Sequence, residues 1–365
     1  MSCVICSSET VLAFKSKLAL AVGSDCSLHK AHLEIKQCTQ CSHIQKKLDS
    51  SYRNSANKIF DEFNIYELSE GLEQVKFQDK IPKTRSSILI NNVKDSLPQS
   101  GSLLDVGTGN GAFLQAFSDQ FSDWDLFGYD LNENFKNRVT NISGVRDFFC
   151  GELENIENRF DLISAIMVLE HIESPGAFLK KLKSLLKKDG VLLIQVPDLG
   201  QNIYDLVVFD HVSHFNRENV VTFSRKLFEH VCLPENQIPK EITLLLSQSS
   251  GFSRELKIAS EELSCGSVNF QGFENILEEI MSIDKKTAVF GTSPIGTFFG
   301  GLLGDNLAFF VDEDVSKIGK QHLNKKILHP NEVELNSTIL LPFPPSQAME
   351  IQKRLPSLKF IVPIS

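Results

Sequence analysis

With 365 residues, 42% hydrophobic and 23% charged, the chain has the composition of a globular protein large enough for two or three cores. Its formal net charge of −9 is at odds with the basic surface that phosphate backbones demand. No nucleic-acid partner is expected, and the cluster Lys180, Lys181, Lys183, Lys187 and Lys188 reads as a solvated face. No apolar run approaches bilayer length and residues 1–6 lack the layout of a signal peptide, so the expectation is a cytoplasmic protein with no membrane partner.

In that compartment the eight cysteines are expected as thiols or metal ligands rather than disulfides. Four of them form matched pairs, Cys3-x-x-Cys6 and Cys38-x-x-Cys41. Each pair lets two thiolates of one turn reach a single tetrahedral ion, and the second pair completes a four-cysteine set. This spacing predicts a structural Zn2+ site in an N-terminal module over residues 1–48, with a hairpin between the two knuckles. A closed set of that kind leaves no coordination position for a substrate. Cys26, His29, His32 and His43 lie nearby without paired spacing.

Residues 49–100 read as a mainly helical, polar linker or substrate cap, with Phe60, Phe63, Tyr66 and Leu68 as its apolar contacts. Residues 98–101 are a turn. Beyond it, strands are predicted at 102–106, 125–129, 145–149, 160–166 and 191–197, and helices at 111–120 and 132–140. A further helix is expected from Ser174 as N-cap and Pro175 as first residue, with Phe178, Leu182, Leu185 and Leu186 as its buried stripe, ending at Asp189 and Gly190. The alternation predicts an α/β fold, a doubly wound parallel sheet over 101–235. A C-terminal Rossmann-like domain is expected over 236–365, where 286–299 reads as strand, turn and helix and 307–312 as a second strand with an acidic end. Its turn has Ser293-Pro294 where a dinucleotide fingerprint has glycine, which favours a structural or substrate-holding role.

The run Leu103-Leu104-Asp105-Val106-Gly107-Thr108-Gly109-Asn110-Gly111 joins the first of these strands to its helix. Glycines at alternate positions let the backbone turn tightly and present main-chain N–H groups to a ligand at a helix start. About twenty residues on, the second strand ends at Asp130, where a carboxylate can bond both hydroxyls of a ribose. A dinucleotide site would have G-x-G-x-x-G. The D-x-G-x-G-x-G here resembles instead the loop of S-adenosyl-L-methionine (SAM) methyltransferases. The contacts expected for SAM are Asp105, Gly107, Thr108, Gly109 and Gly111 in the loop, Asp130 and Leu131 after the second strand, and Met167 after the strand 160–166.

SAM brings its own leaving group, so the protein must align an acceptor and remove one proton. His171, in Leu169-Glu170-His171-Ile172, and His211, in Asp210-His211-Val212-Ser213-His214, both follow strands at the sheet edge where ligands bind. Asp210 and Ser213 are expected to orient His211. Taken together, the cysteine pairs, the glycine loop and the C-terminal segment from Asp312 to Lys320 resemble the sugar C-methyltransferases of deoxysugar formation over nearly the full chain. The resemblance implies a small, nucleotide-linked keto-sugar acceptor, loss of a proton beside its keto group, and attack of the enolate on the methyl of SAM. It places the family's catalytic histidine at His171, its acid–histidine pair at Asp210-His211, and a linker tyrosine at Tyr66. Asp210 shortens the family's glutamate, Val208 replaces an aromatic residue, and Ile238-Pro239-Lys240 lacks the family's glycine pair. The methylated atom is carbon or oxygen on these residues; an O-methyltransferase or a non-catalytic SAM-binding module are the alternatives.

Overall fold

In the computed structural model, which describes residues 2–61, 73, 75–78, 81–249 and 268–363, the stretch between the cysteine pairs is a long hairpin. β1 (Thr10–Val22) and β2 (Leu28–Cys38) pair antiparallel from Thr10↔Cys38 to Val22↔Leu28, which returns the second cysteine pair beside the first. β3 (Ile44–Lys46) extends this sheet on β2. The hairpin is not a detached module. Its tip residues Ala21 and Val22 are fully buried, and Phe209 N donates to Val22 O at 2.6 Å. One core joins Phe14 and Ile35 of the hairpin to Leu206 and Val212 and to Phe273, Phe298 and Phe299 near the C-terminus.

The next segment departs from the mainly helical expectation. α1 (Ser50–Asp61) and α2 (Arg85–Val93) are helices, but β4 (Val75–Gln78) and β5 (Ile81–Thr84) form an antiparallel hairpin between them. Thr84 caps α2 by accepting from Ser87 N at 3.2 Å. Phe63, Tyr66 and Leu68 lie outside the described residues.

The predicted alternation then begins: β6 (Gly101–Val106), α3 (Ala112–Ser118), β7 (Trp124–Asp130), α4 (Lys136–Thr140), β8 (Val145–Cys150), β9 (Phe160–Ile166), α5 (Pro175–Ser184) and β10 (Leu186–Pro197). β11 (Ser213–His214), α6 (Arg217–Ser224), β12 (His230–Cys232) and β13 (Glu241–Ser247) follow. The sheet order is β12-β13-β10-β9-β6-β7-β8. It is parallel from β8 to β10, and its central strands are mostly apolar because helices cover both faces. β13 pairs antiparallel with β10 and β12 antiparallel with β13, so the sheet continues past the boundary expected at residue 235. β11 leaves this sheet altogether and pairs with β3, Ser213↔Gln45 and His214↔Ile44, tying the N-terminal module to the segment that carries His211.

Two local signals misled. Asp189 and Gly190 do not stop a helix; α5 has ended at Ser184 and both residues lie within β10. A Cβ on Gly190 would meet Phe160 O at 2.9 Å, so this glycine lets β10 run close past β9. Ser174 makes no capping bond, and Pro175 alone marks the start of α5.

The C-terminal part is Rossmann-like, as expected. It comprises α7 (Phe270–Met281), β14 (Thr287–Phe290), α8 (Pro294–Leu303), β15 (Leu307–Val311), β16 (Gln321–His322), β17 (Lys325–Leu328), β18 (Thr338–Leu340), α9 (Pro345–Arg354) and β19 (Lys359–Ile361). The order is β16-β17-β15-β14-β18-β19, parallel except for the β16–β17 hairpin. A Cβ on Gly296 would sit 2.1 Å from Gly291 O, so this glycine serves the packing of α8 on its own turn. Asp312, at the ribose position of such a fold, is engaged by Thr292 Oγ1 at 2.8 Å and Lys317 Nζ at 3.3 Å. No helix among the described residues is long and apolar enough to cross a membrane.

Candidate active site

The turn from β6 to α3 holds Gly107, Gly109 and Gly111 at φ 72, 51 and 81°, the left-handed region that side chains disfavour. A Cβ built on Gly109 would meet nothing within 4 Å, so a ligand can lie directly on the main chain there. Asp130 Oδ2 accepts from Gly109 N and Oδ1 from Leu131 N, both at 2.8 Å, and the Asn132 backbone N–H also bonds this carboxylate. Leu131 is 64% exposed and offers an apolar face beside that carboxylate. Met167 has φ 55°, a conformation a methionine holds only when its surroundings impose it, here with its N–H on Gln195 O at 2.8 Å. Asp105 and Thr108 are both buried, and Asp105 Oδ1 accepts from Ser164 Oγ at 2.6 Å. Burial pushes the Asp105 carboxyl up to about 7.

Val168 packs on Gly107, so the loop and the short 3-10 turn Leu169–His171 share one edge of the sheet. There His171 and His211 meet edge to face, ring centroids 4.7 Å apart and planes at 86°. His211 Nδ1 lies 2.8 Å from Asp205 Oδ1, and His214 Nδ1 lies 2.6 Å from Asp205 Oδ2. His171 Nδ1 lies 3.2 Å from Asp210 Oδ2.

The expected partnership is therefore corrected. Asp210 faces His171 and Ser24, whose N (2.8 Å) and Oγ (2.5 Å) both donate to it. The carboxylate that orients His211 is Asp205, brought under it by the 3-10 turn Ile203–Val207. Ser213 does not orient His211 either; its Oγ lies 3.2 Å from His43 Nε2.

Electrostatics separate the two histidines. Burial opposes charge on Asp205, but the imidazoles of His211 and His214 outweigh it and hold its carboxyl far below the carboxylate range. Asp205 is thus an acceptor only, and Nδ1 of both histidines is the nitrogen that donates to it. For His171, burial again opposes charge, but Asp210 outweighs it and pushes the imidazole up to about 9. Glu170 joins this cluster: one of its oxygens and the ring nitrogens of His171 and His211 lie within 4.8 Å of one another. Both Glu170 carboxylate oxygens are buried without a hydrogen-bond partner among the described residues, and burial raises its pKa. Sequence reading assigned no role to Asp205, Glu170 or Ser24, and no periodicity or spacing marks them.

The His171–Asp210 pair makes stability depend on pH. The folded His171 pKa stands above its ordinary 6.5, at about 9, so its contribution is complete below pH 6.5 and is lost as pH rises through about 9. The thermal midpoint is expected to fall across that window in the wild type and to fall less in Asp210→Asn. Equal slopes in the two proteins would contradict the pairing.

At the N-terminus, Cys3 Sγ lies 3.7 Å from Cys41 Sγ and Cys6 Sγ lies 3.4 Å from Cys38 Sγ, all four within 4.8 Å of one another. Thiolates about 2.3 Å from a tetrahedral zinc are about 3.8 Å apart, so the set fits that ion. Ile5 N points at Cys3 Sγ, and Gln40 N and Cys41 N at Cys38 Sγ, each at 3.4 Å, the N–H arrangement that stabilises thiolates in a knuckle. Cys26, His29, His32 and His43 take no part in this cluster.

Residues 76–231 match a family model described as "Methyltransferase domain". Among similar proteins, malonyl-[acyl-carrier protein] O-methyltransferase of Haemophilus influenzae is 30% identical over 111 residues, 29% of this chain and 42% of that protein. Ubiquinone biosynthesis O-methyltransferase of Rhodopseudomonas palustris is 28% identical over 104 residues, 25% of this chain and 38% of that protein. The chain spans less than half the length of these relatives. Among solved structures, an O-methyltransferase family protein from Burkholderia thailandensis is similar at 17% identity and a TM-score of 0.36, over 41% of this chain and 51% of that one. The family match and the sheet with its glycine loop define a class I SAM-dependent methyltransferase domain.

Proposed function

We propose that this protein is a SAM-dependent methyltransferase acting on carbon of a small keto acceptor, a nucleotide-linked sugar by resemblance. The observation that carries this reading is the opposed preparation of two adjacent histidines, His211 donating from Nδ1 to Asp205 and His171 charged beside Asp210. Nε2 of His211 takes the proton next to the keto group, while the His171 imidazolium stabilises the developing enolate oxygen. Asp210 and Ser24 hold His171 in place, and Tyr66 remains an acceptor-side candidate by resemblance. SAM supplies an electrophilic methyl and its own leaving group. The main chain at Gly107, Gly109 and Gly111 would hold its amino-acid part, Asp130 its ribose, and Leu131 and Met167 would flank it. Zn2+ held by Cys3, Cys6, Cys38 and Cys41 would serve structure alone, in a cytoplasmic enzyme.

Exchange in deuterium oxide tests the chemistry. With a nucleotide-linked keto-sugar, the wild type is expected to exchange the acidic carbon-bound proton without turnover, and His211→Ala is not. Methyl transfer without exchange would favour the second reading, O-methylation, which both curated relatives motivate by their names. Asp130→Ala tests the cofactor site. Losing a charge-assisted hydrogen bond costs about 1.5–3 kcal/mol, so SAM affinity by calorimetry should drop roughly 10- to 100-fold. Unchanged affinity would move the ribose elsewhere.

A further inference from the structure

One buried cation connects the N-terminal module to this site. Lys46, on β3, is 3% exposed, and its ammonium donates to Val208 O, to His211 O at 3.1 Å and to His214 Nε2 at 3.3 Å. A buried ammonium is costly unless a counter-charge answers it. The answer lies one imidazole away: His214 donates from Nδ1 to Asp205, which also receives Nδ1–H of His211. An unbroken chain thus runs Lys46, His214, Asp205, His211, and the pairing of β11 with β3 fixes its first link.

We infer that Lys46, supplied by the N-terminal module, is a positioning residue that acts through His214 and Asp205 to keep Nδ1–H of His211 on the carboxylate and Nε2 turned to the acceptor. The inference deepens the reading of His211 as the base and rests on it for its catalytic meaning. Its physical logic is competition. Asp205 serves two imidazoles, and whichever is charged claims it more strongly. The ammonium against Nε2 denies His214 a second proton, so both imidazoles remain balanced donors. Burial and, after it, Lys46 hold the His214 pKa down at about 4. Other charged or titratable groups bear on the chain as well: Asp210 on Lys46, His43 on His214, and Glu170 and His171 beside His211. None of them occupies His214 Nε2.

The test needs no acceptor. Full-length protein labelled with 15N-histidine is examined by long-range 1H–15N spectra across pH, with resonances assigned from His214→Phe and His211→Ala. In the wild type both histidines should show the Nδ1–H tautomer at neutral pH. In Lys46→Met, an unbranched apolar replacement, His214 should titrate at least about one pH unit higher, since a cation in direct contact has gone, and the Nδ1–H signal of His211 should weaken. Wild-type spectra and titration in Lys46→Met would overturn the inference. Should that variant not fold, His214→Phe carries the test: Asp205 keeps one donor, and the Nδ1–H proton of His211 should shift downfield. An unmoved signal there overturns the chain equally. Retained turnover in His211→Ala would remove the base and leave these spectra untouched, so the two readings fail separately.

Discussion

Replacing His211 with alanine is expected to slow methyl transfer by about 10²- to 10⁴-fold, the usual contribution of a positioned general base, with SAM affinity unchanged. The separation follows from where the residue sits. His211 belongs to the connection after β10, whereas the cofactor crevice is built from the ends of β6, β7 and β9. Asp205→Asn is the informative companion. An amide donates where the carboxylate accepts, so one of the two imidazoles must turn its proton to Nε2 and accept from the amide at Nδ1; if that ring is His211, it has no accepting nitrogen left for the acceptor's proton. Turnover should fall steeply while folding and SAM binding persist. Asp210→Asn removes the group that keeps His171 charged, so its loss relative to wild type should be largest between about pH 6.5 and about 9. The measurements are steady-state turnover and calorimetry with SAM on the same preparations. Equal loss of turnover and SAM affinity in His211→Ala would make this histidine part of the cofactor pocket instead.

What could be read from the sequence follows how local each feature is. The glycine loop with Asp130 and each cysteine pair lie in short runs whose residue types and spacing can be read without the rest of the chain, and the β1–β2 hairpin then brings the two pairs together. The strands β6, β7, β9 and β10 are legible because burial on both faces leaves each with an apolar run. Asp205 was not legible. It reaches His211 and His214 through a 3-10 turn, which has no hydrophobic period, and its neighbour in sequence to His211, Asp210, looked the better partner. Lys46 was equally hidden, because a lysine shortly after a cysteine pair reads as solvent-facing until β11 covers it. The hairpin over 75–84 and the role of Gly190 were misread for one reason: a turn or helix stop is inferred from residue type, while the contact that decides it is made with a distant strand.

Loss of the proposed Zn2+ should have the second large effect, and an uneven one. Structural zinc is worth on the order of 10–16 kcal/mol in zinc-finger peptides, so Cys38→Ser is expected to yield protein without zinc and with a lowered thermal midpoint. The damage should be greatest at the cysteine end of the hairpin. β3 is three residues long, begins three residues after Cys41, and is tied to the first knuckle by Val4 N donating to Gln45 Oε1 at 2.9 Å. With the knuckles open, β3 keeps only its short pairings with β2 and β11, so the contact of Lys46 with His214 is expected to loosen. The hairpin tip is anchored otherwise, by Val22 against Phe209 and by Ser24 on Asp210, and should stay. The SAM crevice lies on another sheet and should keep its affinity. The expected result is therefore a protein that binds SAM normally, transfers methyl groups poorly, and shows the histidine spectra of Lys46→Met. Full activity in zinc-free Cys38→Ser would show that β3 stands without the metal; loss of SAM binding as well would show that the whole molecule depends on it.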